Sequence, residues 1–330
     1  DSADLVLGEF PEVRWMPLDK NYGFAGGYNR ALESIDAEYY AILNSDVEVT
    51  QSWLDTLIEF MDSRPDVAAC QPKILDFRNR NHFEYAGACG GFIDKYGYLF
   101  CRGRIFDHCE EDRGQYDEPQ EVFWASGACL VIRSKAFHEV EGFDHDFFAH
   151  IEELDLCWRI KNRGGRIFCC PQSVVYHVGG GTLSSLHPMK TYLNFRNNLT
   201  VLVKNEERRG VFAKLAKRMV LDGAASMHLL FTQGVRHFAA VLKAHFYFYV
   251  FLPDILEKRR REKDALAHPE MKYPNMAGLY RGSVVFDFFR RKKKEFAALD
   301  PAMFVRGKSE TTRPSDDAPP ARTPQDPLPQ

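Results

Sequence analysis

The 330-residue sequence lacks any run of the roughly 18 to 20 apolar residues that a membrane span needs. It also lacks paired cysteines. Its eight cysteines, Cys70, Cys89, Cys101, Cys109, Cys129, Cys157, Cys169 and Cys170, form no C-x-x-C pair. Most lie in apolar segments, as small buried hydrophobes of a reducing compartment do, so a disulfide framework is not expected. Cys89, Cys101 and Cys109 share a polar stretch with His108, but their irregular spacing argues against zinc. No stretch reads as a secretory signal, and no internal repeat is found. Neither G-x-G-x-x-G nor a P-loop occurs, so the two commonest phosphate-binding fingerprints are missing.

What is there suffices for a sizeable core. Apolar residues make up 45% and aromatics 13%. The length suits one large α/β domain with an appendage, or two domains. The formal net charge of -3 says less than its distribution, since dense basic clusters such as "EKRRREKD" and "RRKKK" lie in the later part of the chain.

Periodicity orders the first half. "PEVRWMPL" (11–18) reads as a short strand, "AGGYNRALESI" (25–35) as a helix entered through glycines, and "YYAIL" (39–43) as a strand. "SWLDTLIEFMD" (52–62) is an amphipathic helix with Ser52 as N-cap, and "DVAACQPKIL" (66–75) holds another strand. This alternation predicts a mostly parallel sheet with crossover helices. Residues 76–120 read as a long excursion with short strands, and "VFWASGACLVIR" (122–133) as a strand. "EELDLCWRIKNRG" (152–164) reads as a helix ending at a glycine pair, and "RIFCC" and "SVVYHV" as two short strands. From about residue 186 the pattern turns helical, and the last residues form a polar, proline-bearing tail expected to be disordered.

Four segments carry candidate chemistry. Asp46 ends the apolar strand "AILNSDVEV", where ligands bind in an open α/β sheet, and a carboxylate there suits a divalent cation. The plainer reading is a turn or helix-capping aspartate. "DKNYGFAGGYNRAL" (19–32) puts three glycines and two asparagines before and into a helix, which favours close backbone approach and anions. In "FDHDFFAHIEELDLCWRI" (143–160), Glu152, Glu153 and Asp155 crowd a helix start. They suit the helix dipole, or one of them serves as a general base. In "VVYHVGGGT" (174–182), His177 closes a strand before three glycines, a placement that suits a metal or phosphate contact.

In this order, "NYGFAGGYN", "AILNSDVEV", "WASGACLVIR", "GFDHDFFAHIEELDLCWRIKNRG", "YHVGGGT" and "YLNFRNNL" resemble the family 2 glycosyltransferases of GT-A fold, in particular the rhamnosyltransferase-like branch. The resemblance implies an α/β, Rossmann-like, mostly parallel sheet with flanking helices and a C-terminal helical region. It implies an inverting transfer of a sugar from a nucleotide-diphosphate donor, dTDP- or UDP-linked, to a lipid-linked or polysaccharide acceptor. Asn44-Ser45-Asp46 stands where the family has Asp-x-Asp, so Asp46 would hold Mg or Mn with His177, while Asn44 departs from the motif. Glu153 falls on the catalytic-base position, followed in preference by Asp155 and Glu152. Lys20, Asn21, Gly26, Gly27, Asn29, Asn44 and Ser45 would face the donor, and Trp124, Ser126 and Gly127 would line the sugar or acceptor pocket. Arg196 either reaches the diphosphate or is a surface arginine on a helix.

Family members usually begin with an apolar strand and an Asp-Asn-x-Ser segment, and this chain starts at "DSADLVLGEF", downstream of both. The expectation is therefore an N-terminally truncated GT-A domain over 1–200, a basic and aromatic helical region over 201–300 associated with a membrane surface, and a disordered tail over 301–330. Such an enzyme would be cytoplasmic and peripheral on the inner face of the plasma membrane. No nucleic-acid-binding module is visible. The second reading of the same features is a non-catalytic membrane-associated scaffold on a degenerate glycosyltransferase fold.

Overall fold

A computed structural model describes residues 2–179, 187–206, 210–267 and 273–307. The chain opens with α1 (Ser2–Glu9), α2 (Gly23–Leu32), β1 (Tyr39–Leu43), β2 (Val47–Val49), α3 (Trp53–Asp62) and β3 (Val67–Asp76). The excursion contributes β4 (Gly91–Asp94), β5 (Leu99–Cys101), β6 (Arg104–Ile105), β7 (His108–Cys109) and β8 (Gln120–Val122). The chain then returns through β9 (Cys129–Arg133), α4 (Ser134–Glu139), α5 (Glu152–Asn162) and β10 (Arg166–His177). A helical layer follows: α6 (Pro188–Asn205), α7 (Val211–Gln233), α8 (Val235–Val250) and α9 (Leu252–Leu266). Last come β11 (Leu279–Tyr280) and α10 (Val284–Phe289).

The main sheet runs β1-β9-β3-β10-β2, with β8 also pairing β10. The α/β class with flanking helices is as expected, but the sheet is mixed rather than mostly parallel. Of the described pairings in this sheet, β3 with β10 is parallel and the others are antiparallel. The reason is topological. β1 and β3 point the same way, but β9 returns from the excursion, inserts between them and runs antiparallel to both. β3 is buried along nearly its whole length, as a central strand covered on both faces must be. Its two buried polar residues are satisfied internally. Gln71 accepts from Ser126 N at 2.9 Å, and Lys73 donates to Asp112 at 2.7 Å and to Asp117.

Three local expectations change. Residues 11–18 form no strand, and Val13 and Trp15 stand exposed. "RIFCC" and "SVVYHV" are one strand, β10, whose register shifts between Cys170 and Val174. The short strands of the excursion form a second sheet, β11-β4-β5-β6-β7, which takes its edge from the far end of the chain.

The stretch 301–305, expected to belong to the tail, packs on that second sheet. Phe304 lies 5.5 Å from Phe92 and 4.8 Å from Tyr280 between ring centroids. Val305 exchanges backbone hydrogen bonds with Gly278 and Leu279. Residues 308–330, the rest of the expected tail, lie outside the described residues.

The expected boundary at residue 200 falls inside α6. That helix is the spine of the helical layer: Leu199 and Val203 pack with Leu215 of α7, Phe248 of α8 and Ile255 of α9. Asp222, a charge in the middle of an apolar helix, is accounted for here. It accepts from Arg218 at 2.7 Å and from Tyr98 at 3.0 Å, while Arg218 also donates to the Tyr96 and Gly97 carbonyls. These bonds tie α7 to the turn between β4 and β5.

Candidate active site

β1 ends at Leu43, and the Asn44–Asp46 turn leads straight into β2. Two backbone bonds fix this turn, Asn44 N to Ala128 O and Val178 N to Asp46 O, each 3.0 Å. The antiparallel register sets Val47 opposite His177. Asp46 and His177, 131 positions apart, are thereby brought together, with His177 Nε2 3.1 Å from Asp46 Oδ1. The other ring nitrogen faces Glu84 Oε2 at 3.2 Å. Glu84 is itself buried, and its carboxylate accepts from Ala86 N. Burial pushes the His177 pKa down, but the Glu84 and Asp46 carboxylates outweigh it and hold the imidazole above its ordinary value.

Lys190, in the first turn of α6, lies 5.7 Å above the Tyr85 ring. Burial lowers its pKa, and the charge of Glu84 partly restores it. Burial and Lys190 together depress His150 to about 4, so that imidazole is neutral near pH 7. A histidine, a lysine and two carboxylates therefore meet at the strand ends.

The second half of the site is the start of α5. Phe148, His150 and Ile151, just before it, hold φ of 63°, 67° and 74°. Non-glycine residues rarely adopt this region, and three such residues within four positions must be held by their surroundings. Asn197 holds it: Nδ2 donates to the carbonyls of Phe147 (3.1 Å), Ala149 (3.0 Å) and His150 (2.6 Å). Arg196 donates to the carbonyls of Asp146 (3.0 Å) and Phe147 (2.8 Å), and its Nε to Asn197 Oδ1 at 2.7 Å. Arg196 is thus buried in a loop clamp, and neither the diphosphate nor the surface reading describes it.

The three carboxylates differ sharply. Asp155 is fully buried and saturated, accepting from Arg159 at 2.8 Å, Lys204 at 3.0 Å and Asn205 at 2.8 Å. Burial raises its pKa, but Arg159 and Lys204 more than reverse this and hold it below the ordinary value. Burial drives Glu152 well above its usual range, with the Glu153 charge adding to the effect. Burial also raises Glu153, to about 7. One carboxylate oxygen of each glutamate is enclosed without a hydrogen-bond partner among the described residues. A Cβ built on Gly127 would lie 3.8 Å from Glu153 Cβ and 3.1 Å from the Phe24 ring. Gly127 therefore packs closely between Phe24 and Glu153, in the same turn whose Ala128 carbonyl fixes Asn44.

Most of the expected donor contacts are occupied within the protein. Asn21 Oδ1 accepts from Gly23 N at 2.8 Å, and the Phe148 carbonyl accepts from Phe24 N at 2.8 Å. The first amides of α2 are thus capped internally instead of facing an anion. Asn29 pairs with both backbone groups of Phe143, at 2.7 and 2.9 Å. Gly26 sits beneath Tyr22, Gly27 beside Leu18, and Lys20 is exposed beside the Tyr22 ring. Ser45 is exposed and Asn44 half-buried next to Asp46. Trp124 is buried and donates to Phe92 O at 3.0 Å, and Ser126 is buried with its hydroxyl accepting from Ala128 N. Of the pocket residues, Gly127 is the one beside the candidate base. Gly180 to Thr182, after His177, lie outside the described residues.

Glu84, Lys190, Asn197, Lys204 and Asn205 are site or support residues that the sequence reading missed. Asn197 had a signal, since it follows Arg196 in "FRNN". Glu84 sits in the excursion, where no periodicity marks it.

Asp144, His145 and Asp146 also bring potential ligand atoms within 4.8 Å of one another. Their charge is already balanced, however. Lys204 and Lys258 reach Asp144 at 2.7 and 2.6 Å, and Lys258 reaches Asp146 at 2.6 Å. A cavity of about 820 Å³ opens at the opposite ends of β3 and β10, lined by Arg133, Arg163, Arg166 and Tyr273. It is remote from this chemistry, and the three arginines already have acidic partners.

The model of glycosyl transferase family 2 matches residues 2–141. The N-acetylglucosaminyl-diphospho-decaprenol L-rhamnosyltransferase of Mycobacterium tuberculosis (strain CDC 1551 / Oshkosh) is 27% identical over 190 residues, 52% of this chain and 61% of that protein. The pre-mycofactocin glycosyltransferase of the same strain is 29% identical over 180 residues, 53% of this chain and 34% of that protein. The solved structure of GalNAc-T7 with UDP, GalNAc and Mn2+ superposes with a TM-score of 0.46 at 14% identity, over 84% of this chain and 50% of that one. The chain thus spans only part of the length of the relatives it matches. The family 2 glycosyltransferase match takes in the first part of the chain, through residue 141. The relatives it is similar to include rhamnosyltransferases.

Proposed function

We propose that the protein transfers a sugar, rhamnose-like or a hexose, from a dTDP- or UDP-linked donor to a hydroxyl of a lipid-linked or polysaccharide acceptor, with inversion at the anomeric carbon. One observation carries this reading. Glu153, raised to about 7 and with an unpartnered oxygen, stands beside the bare Gly127, whose turn also anchors the Asn44–Asp46 segment. A general base works best with a pKa near the operating pH. Asp155, tied to two cations and an asparagine, is unsuited to that task. Glu152, driven well above its usual range by burial and the Glu153 charge, is unsuited as well.

Glu153 takes the proton of the acceptor hydroxyl as its oxygen bonds to the anomeric carbon, and the bond from that carbon to the diphosphate oxygen breaks on the opposite face. Lys190 supplies positive charge near the leaving diphosphate. The residues present fit a divalent cation, Mg or Mn. Asp46 and His177, whose Oδ1 and Nε2 lie 3.1 Å apart, would be the residues that hold it. Glu84 behind the imidazole is the usual orienting partner of a metal-bound histidine. When bound, the cation would neutralise the leaving diphosphate. The scaffold alternative is not favoured, because a degenerate site has no use for a glutamate with one enclosed oxygen left without a partner. The enzyme would work on the inner face of the plasma membrane, where lipid-linked acceptors are held.

The test is transfer and donor hydrolysis with a panel of nucleotide sugars, with and without Mn, comparing Glu153→Gln with Asp155→Asn. Loss of turnover in Glu153→Gln at unchanged donor binding supports the reading. Loss in Asp155→Asn alone, with its fold intact, overturns the assignment of the base.

A further inference from the structure

The outer faces of α7 and α8 carry an unusual composition. On α7, Phe212, Ala216, Val220, Gly223, Met227 and Phe231 recur at three- and four-residue intervals, and all are exposed. On α8, Val235, Ala239, Leu242, Phe246 and Tyr249 do the same. Phe231 is 80% exposed, Val220 74% and Phe246 69%, so these are open side chains and not half-covered ones. Gly234, with φ 91°, joins the helices, and each buries its other face against the layer below through Leu215 on α7 and Phe248 on α8. The exposed charges on both helices are Lys217, Arg236 and Lys243, all positive. The one acid on either helix, Asp222, is buried and paired with Arg218.

We propose that this two-helix face is a membrane-docking surface that lies in the headgroup layer of an anionic bilayer. The proposal deepens the glycosyltransferase reading by naming what holds the enzyme at a lipid-linked acceptor. An apolar stripe with rings, edged by cations and no acid, is the composition of an interfacial helix. No single helix among the described residues is long and apolar enough to cross a membrane; α8 and α9 reach that length and composition only as a pair bent by 62°. The inner side of α8, with Val241, Ala244 and Phe248, is committed to the protein core. The hairpin therefore lies on the bilayer and does not span it. A second copy of the chain fits the face less well, because a two-fold contact would set its cations against each other with no acid between them.

Flotation of the full chain with phosphatidylcholine vesicles, with and without phosphatidylglycerol, tests this. The parent floats with the anionic vesicles, and added salt weakens the association. Phe231→Ser and Phe246→Ser, at positions with no packing role, each weaken partitioning by about tenfold. Leu7→Ser, an exposed apolar change elsewhere, leaves it unchanged. Equal flotation of the Phe231→Ser/Phe246→Ser double variant and the parent overturns the proposal. So does a parent that fails to float but forms a dimer which the double variant dissociates. Flotation needs no turnover, so its failure is separable from failure of the transferase reading, which donor hydrolysis reports.

Discussion

His177 Nε2 lies 3.1 Å from Asp46 Oδ1 across the antiparallel pair of β2 and β10. The contact joins a strand-end carboxylate to a strand-end histidine that register alone makes neighbours. Asp46→Ala should remove one ligand and abolish Mn-dependent turnover. Glu84→Gln keeps the shape but removes the charge behind the imidazole, and should weaken Mn affinity about 10–100-fold. Isothermal titration with Mn and turnover against Mn concentration check both. Unchanged Mn dependence in Asp46→Ala contradicts the metal assignment.

In the proposed mechanism, Lys190 takes the diphosphate role that the sequence offered to Arg196. Lys190→Ala should raise the donor KM about tenfold, with a smaller effect on the acceptor KM, as expected when a charge-assisted contact to phosphate is lost. Arg196→Lys should behave differently. It breaks a loop clamp, so thermal stability falls along with kcat.

Asn197 donates to three carbonyls in a loop with three left-handed residues. Asn197→Ala should relax that loop and displace Glu153, lowering kcat by up to about 10²-fold with a smaller change in donor binding. It should also move the acidic limb of the pH–rate profile, because the burial that raises Glu153 depends on the loop. An unchanged limb with full kcat would show that α5 holds its start unaided.

The buried carboxylates make opposite predictions for stability. Asp155, held below its ordinary pKa, stabilises the fold above the unfolded value of about 4, and the contribution is lost as pH falls. Asp155→Asn leaves the buried Arg159 without a charged partner, while Lys204 keeps Asp144, and should cost about 3–5 kcal/mol near pH 7. Glu152 is held well above its ordinary pKa, so the fold loses stability as pH rises past about 4 and the unfolded chain ionises. Glu152→Gln should therefore be stabilising near pH 7 and close to neutral near pH 4. Denaturant titrations at the two pH values separate the pair.

The candidate site was legible where polar residues sit at the ends of strong periodic segments. Asp46, His177 and Glu153 each end or begin such a segment, and the structure puts Asp46 against His177. The parallel sheet was misread because alternation along the chain does not reveal that β9 inserts between β1 and β3. Residues 11–18 looked like a strand between prolines, but exposed Val13 and Trp15 find no sheet to join. The second sheet was hidden because strands of two to four residues carry no measurable period, and its edge strand β11 comes from a segment about 185 residues further along the chain. The glycines and asparagines of residues 21–29 were read as ligand contacts, yet the same residue types cap helices and clamp loops. Only their partners tell the two uses apart.

The most direct test is the pH dependence of kcat for sugar transfer, measured on the parent and on Glu153→Gln. A base must be deprotonated to act, so the parent rate should fall as pH drops through about 7, the value to which burial raises Glu153. Glu153→Gln should lose about 10²–10⁴-fold in kcat and show no limb there. A limb near the ordinary carboxylate value, or a Glu153→Gln variant that turns over like the parent, would contradict the account.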